Sequence, residues 1–150
     1  MLRKKIPKGY MLAIDWSSAY NRTLRKAIFE RLEKDNVLNE NELKMLKFII
    51  TNLEVGVANK STRTEISLQQ GLSTSPLLFV LEMDILIQKL LDGGIKHCLA
   101  LADDLLVYLE NLDDVYRSIK IIKDFEKERK QKLNMKKCGI IEFKRMRKSR

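Results

Sequence analysis

The spacing of apolar positions divides the chain into elements. Residues 10–14 form a short apolar run that stops at Asp15, the pattern of a buried strand delivering a carboxylate at its C-terminal end. From residue 19 to about residue 33 the period changes. Leu24, Ile28 and Leu32 recur every four positions while Arg25, Lys26 and Arg31 fall elsewhere, which predicts a helix with one apolar face. Asp35 and Asn36 break it. A second helix is announced by Asn39 with Glu42 three positions on, an N-cap with an acidic first turn, and continues through Leu43, Leu46, Ile50 and Leu53. Residues 54–57 and 64–68 read as two strands of a hairpin around the polar turn Asn59, Lys60 and Ser61.

Ser75 and Pro76 suit the first turn of a third helix, which is apolar nearly all round from residue 77 to 91 and is expected to be the central buried one. Asp92, Gly93 and Gly94 stop it. Residues 98–102 and 105–109 then flank Asp103 and Asp104 at the spacing of a two-residue hairpin turn. A fourth helix over residues 113–129 carries Val115, Ile119, Ile122 and Phe125 on one side, with Asp113 and Asp114 near its positive N-terminus. Residues 140–143 can close as a last strand. This order predicts an α+β fold, a mostly antiparallel sheet with helices packed on one face. No internal repeat or linker is evident, so residues 1–150 are expected to form a single domain.

Composition narrows the partners. Apolar residues at 45% and charged residues at 33% suit a folded domain with a heavily charged surface. The 29 Lys and Arg against 20 Asp and Glu give a net charge of +9, which favours a polyanionic partner. Nucleic acid heads that list; an anionic membrane surface, or charge that serves solubility alone, are the other readings. The most apolar stretch, residues 76–91, is interrupted by Glu82, Asp84, Gln88 and Lys89, so no run reaches the roughly 18 to 20 residues that span a membrane. The basic opening runs into Pro7, Lys8 and Gly9 without the apolar core of a secretory signal, and an intracellular location is expected. Cys98, Cys138 and His97 cannot supply the four protein ligands of a structural zinc site, so the cysteines read as reduced, packed thiols and His97 as a strand residue. The basic tail, residues 144–150, is either a solvated end or a nucleic-acid contact.

The chemistry sits in three carboxylates. A strand ending at Asp15 beside a hairpin tipped by Asp103 and Asp104 would bring acidic side chains from distant positions to one sheet edge, where hard oxygen donors suit divalent cations acting on phosphates. Singly these signals are ordinary, because an Asp after a strand and an Asp pair at a hairpin tip are common. In combination with their surroundings they are not. Asp15-Trp16-Ser17-Ser18-Ala19-Tyr20, Gln70-Gly71-Leu72-Ser73-Thr74-Ser75-Pro76-Leu77-Leu78-Phe79, Leu101-Ala102-Asp103-Asp104 and Leu133-Asn134-Met135-Lys136-Lys137-Cys138 stand in the order of four motifs, A to D. On these blocks the chain resembles the palm of the reverse transcriptase family, closest in look to the non-LTR retrotransposon and group II intron branch.

The resemblance implies an RNA-directed DNA polymerase palm in which Asp15, Asp103 and Asp104 hold two Mg²⁺ ions, with Mn²⁺ as an alternative. It further implies that Trp16, Tyr20, Gln70 and Gly71 bind the nucleotide and that Lys137 acts on the leaving pyrophosphate. The partners it implies are an RNA or RNA/DNA primer-template, deoxynucleoside triphosphates, and other polypeptides or a ribonucleoprotein; frequent Lys, Ile and Asn fit an AT-rich genome, so the nucleus or an organelle such as the mitochondrion is the expected location. Fingers and thumb have no counterpart in the residues flanking this palm. The opposed reading is a catalytically idle derivative retained as an RNA-binding or structural subunit. Three positions depart from the family pattern: Leu101 replaces an aromatic, Asn21 replaces an Asp, and Lys130-Gln131-Lys132-Leu133 lacks the usual Gly before motif D.

Overall fold

The computed structural model describes residues 8–36, 38–52, 68 and 73–143. The hairpin expected at 54–57 and 64–68 lies outside them apart from Leu68, as does the basic tail. The chain forms two compact units: Met1–Ser17 with Met83–Arg150, and Ser18–Glu82.

The first unit is built on a four-stranded antiparallel sheet. Its strands are β1 (Gly9–Ile14), β2 (His97–Leu101), β3 (Asp104–Leu109) and β4 (Gly139–Phe143), in the order β2-β3-β1-β4. β1 therefore lies inside the sheet, paired to β3 from Tyr10↔Leu109 to Ile14↔Leu105 and to β4 from Gly9↔Phe143 to Ala13↔Gly139. Strand alternation sorts the side chains. Leu12 and Ile14 of β1 and Leu105, Val107 and Leu109 of β3 are buried on one face. Against that face packs α5 (Leu112–Arg129), through Val115, Ile122 and Phe125. The opposite face carries Leu99, Leu101 and Ile141, all exposed. Helices on one face of an antiparallel sheet is the layering that the apolar pattern predicts.

α5 starts one residue earlier than its acidic pair suggests. Asn111 is the N-cap, its side-chain oxygen accepting the Asp114 N–H at 2.9 Å, and Lys130 closes the helix in the left-handed region at φ 54°. α4 (Ser75–Asp92) belongs to both units, its second half lying beside α5 through the Lys89–Glu128 ion pair at 2.9 Å. Gly94, at φ 87°, ends it, with the Ile95 N–H returning to the Leu90 carbonyl, a closure that favours glycine. Leu78, Phe79, Met83, Leu86 and Leu90 of α4 are buried, whereas Leu77, Val80 and Leu91 are exposed, so the helix is less completely enclosed than its composition suggests. With α4 joining β1 to β2 and α5 joining β3 to β4, the unit is a βαββαβ arrangement of two split crossovers.

The second unit holds α1 (Ala19–Arg22), α2 (Arg25–Lys34), α3 (Glu40–Asn52) and the start of α4. The single helix expected over residues 19–33 is broken at Thr23 and Leu24, both extended. The cause is competition for carbonyls. The Thr23 hydroxyl donates to the Ala19 carbonyl at 3.0 Å, and the Leu68 N–H takes the Tyr20 carbonyl at 2.8 Å. Those carbonyls would otherwise accept the N–H groups of residues 23 and 24. α3 has the expected N-cap, and the structure makes it a reciprocal capping box: Asn39 Oδ1 accepts from the Glu42 N–H and Glu42 Oε2 accepts from the Asn39 N–H. Arg25 ties α2 to α3 by donating to the Ile50 carbonyl at 3.0 Å, and Lys47 pairs with Glu33.

Candidate active site

Leu12, Ile14 and Trp16 alternate onto the buried face, so Asp15 is directed to the open face of the sheet. Extending the Ile14↔Leu105 register by one step sets Asp15 across from Asp104, the first residue of β3, and Asp104 shares that open face because Leu105 and Val107 are buried. The hairpin turn is shifted by one residue from the expected Asp103-Asp104. Leu101↔Asp104 is the closing pair, and Ala102 and Asp103 form the turn, with Ala102 left-handed at φ 53°. Asp103 has no positive φ, so the turn is not of type I′, which needs positive φ at both central positions. The consequence is a division of labour: Asp104 is held by the ladder beside Asp15, and Asp103 leaves from the turn itself.

The stretch ahead of β4 wraps the end of β1. Trp16 bridges Leu133, and the Ser17 N–H donates to the Lys132 carbonyl at 2.7 Å. Between Ala13↔Gly139 and Trp16↔Leu133, two residues of the β1 side face five of the other, residues 134–138, which bulge outward. The bulge is closed by the N–H groups of Lys137 and Cys138 on the Asn134 carbonyl. Asn134 donates its own N–H to the Asp15 carbonyl at 2.8 Å, and the Asp15 N–H meets Cys138 Sγ at 3.4 Å. Lys137 Nζ stands 3.5 Å from Asp15 Oδ1; the lysine side chain is 69% exposed and the aspartate 16%. The sequence brought Lys137 into the candidate set only through its motif, and nothing in periodicity signalled the contacts of Asn134 and Cys138.

The donor set is chemically suited to a hard divalent cation, since all three groups are carboxylates. The backbone aligns Asp15 and Asp104, while among the described residues no group of three or more His, Cys, Asp or Glu side chains is gathered closely enough to hold a metal ion.

Of the residues expected at the nucleotide, Trp16 is a core residue, 3% exposed and packed on Phe125 with ring centroids 5.8 Å apart. Tyr20, in the Ser18–Glu82 unit, is stacked on Phe79 at 4.7 Å and 21°. Gln70 and Gly71 lie outside the described residues. Cys98 and Cys138 are free thiols, and burial pushes that of Cys98 up. No described helix is long and apolar enough to cross a membrane.

Residues 1–147 match the family model for reverse transcriptase (RNA-dependent DNA polymerase). Among curated proteins no sequence matches. The fold is similar to that of apo telomerase from Candida tropicalis truncated from its C-terminal domain, with a TM-score of 0.74 and 18% identity over 98% of this chain and 33% of that one. Telomerase of Candida albicans in complex with a TWJ fragment of telomeric RNA gives 0.73 and 14% over 95% of this chain and 28% of that one. The chain thus spans about a third, or less, of these structures.

Proposed function

The chain belongs to the reverse transcriptase family, and from that premise we propose that it is the palm of an RNA-directed DNA polymerase. The observation that carries this reading is the alignment of Asp15 and Asp104 at one end of an interior strand pair, with Asp103 on the adjoining turn. These three carboxylates would hold two divalent cations, Mg²⁺ or Mn²⁺, whose charge favours ionisation of the primer 3′-hydroxyl and offsets the charge on the leaving pyrophosphate. The primer oxygen bonds to the α-phosphorus of a deoxynucleoside triphosphate as the bridging bond to the β-phosphate breaks. Lys137, on the loop that grips Asp15, would release that carboxylate and bring its ammonium to the pyrophosphate, a role supported by its 3.5 Å contact with Asp15 and its 69% exposure. Tyr20, Gln70 and Gly71 would border the nucleotide, and the +9 charge supports a nucleic-acid template.

A second reading, a catalytically idle RNA-binding or structural subunit of a ribonucleoprotein, is favoured by the Lys137–Asp15 contact, which occupies a carboxylate that metal binding needs. Primer extension on an RNA template separates the two. With fingers and thumb supplied in trans or by fusion, Mg²⁺-dependent extension is predicted, and Asp103→Asn, which keeps the size and removes the charge, abolishes it. Extension that survives Asp103→Asn rules out the metal reading, and an assembled, RNA-bound complex without extension selects the idle subunit.

A further inference from the structure

We propose that Cys138 is a positioning residue for Asp15, its thiol replacing the ladder partner that β1 loses where residues 134–138 bulge away. The inference rests on the reading of Asp15 as a metal ligand only for its functional consequence. In an antiparallel ladder a residue's N–H and C=O point to the same neighbouring strand. The Asp15 carbonyl accepts from Asn134, on the β4 side, so its N–H faces the bulge, where no backbone carbonyl is in line. A buried N–H left without a partner is costly. Cys138 Sγ meets that N–H at 3.4 Å, and its S–H points back to the Asp15 carbonyl at 3.6 Å. A thiol both donates and accepts, so one side chain spans both backbone groups of Asp15.

The grip has two parts in consecutive residues. Lys137 holds the carboxylate and Cys138 holds the peptide from which the carboxylate projects. They differ in permanence. The lysine is 69% exposed and can swing away, whereas Cys138 is half-buried and lines a cavity of about 270 Å³ with Leu12, Ile14, Ile119, Leu133 and Ile140. Lys137 can therefore release the carboxylate to a cation while Cys138 keeps the Asp15 backbone, and so the aim of its side chain, in place.

Two readouts on the full chain test this: hydrogen exchange of the Asp15 amide by NMR, and Mn²⁺ affinity from the paramagnetic signal of free Mn²⁺. Cys138→Ser, which keeps a donor and an acceptor, retains Asp15 amide protection and wild-type Mn²⁺ affinity. Cys138→Ala loses that protection and weakens Mn²⁺ binding about tenfold, as expected for a group that orients a ligand without touching the metal. Should Cys138→Ala fail to fold, methyl methanethiosulfonate on the folded Cys98→Ala chain converts the Cys138 thiol to a methyl disulfide, releasing methanesulfinate, and the cavity has room for the added group. Protection and affinity then fall and return with dithiothreitol. An Asp15 amide equally protected with and without the thiol overturns the proposal, as does unchanged Mn²⁺ affinity in a chain that binds the ion. If the wild type and Asp15→Asn bind Mn²⁺ alike, the metal reading fails, and the amide exchange decides the role of Cys138 by itself.

Discussion

The two units of the chain are held by different kinds of contact. In the sheet unit every strand pairing with β1 is remote, Tyr10 with Leu109 and Glu142, and the three carboxylates owe their placement to that long-range register. In the Ser18–Glu82 unit the described elements are helices secured nearer home, by the Asn39–Glu42 box, the Arg25–Ile50 bond and the Glu33–Lys47 pair. Its surface also leaves Met45 and Phe48 largely exposed. The lesson is that the part with the carboxylates is specified by register, where a slip of one residue would send Asp15 to the buried face, while the helical part is specified by caps and apolar spacing, where small errors stay local.

That contrast can be broken by substitution. Leu105, 2% exposed, lies across from Ile14 one step from the carboxylates, and we predict that Leu105→Ala destabilises the chain by about 3 kcal/mol in urea titration. A cost under about 1 kcal/mol would mean that the sheet core repacks freely and that register is loosely held. Asn39→Ala removes a cap of α3, with an expected cost of about 1 kcal/mol and faster amide exchange confined to the first turn of that helix. Faster exchange along β1 as well would erase the distinction between local and remote control.

A stabilising change sharpens the comparison from the other side. Lys130 occupies a left-handed position at the end of α5, a conformation that glycine adopts without steric cost. Lys130→Gly is therefore expected to raise stability by about 0.5–1 kcal/mol, read as an increase in the urea midpoint. A loss would show that the lysine side chain contributes more than its backbone strain costs.

The smallest effect concerns Glu128, whose carboxyl is held below the ordinary range by the hydrogen bond from Lys89. A lowered folded pKa adds stability above the unfolded pKa that disappears as pH falls through the folded value. Because both partners are substantially exposed, Glu128→Gln should cost only about 0.2–0.5 kcal/mol at neutral pH, and nothing once the pH is below the folded pKa. Comparing the two proteins across an acid titration of unfolding checks the sign.

Much of this architecture was legible in the sequence because short-range physics announces it. The helical spacing of Val115, Ile119, Ile122 and Phe125 in α5, the N-cap Asn39 and the apolar run into Asp15 all correspond to elements in place. What escaped depends on partners distant in sequence. The break at Thr23 and Leu24 needs Leu68 to take the Tyr20 carbonyl, and no window of local residues contains that information. The hairpin tip slipped by one residue because Ala102 is not a residue that advertises a left-handed turn. Trp16 shares its motif with Asp15, yet strand alternation sends the indole to Phe125 and the carboxylate to the other face. The grip on Asp15 is a bond between residues 123 apart and has no period to detect.

The interior position of β1 also sets a schedule. Among the four strands β1 comes first in the chain, and its neighbours come from residues 104–109 and then 139–143, so it stays open until the last of them has been made. Such late closure favours slow, cooperative folding and leaves an apolar strand open while the remainder is translated. A nascent chain halted before Cys138 would contain all three aspartates but lack both the thiol that meets the first of them and the edge strand beside it.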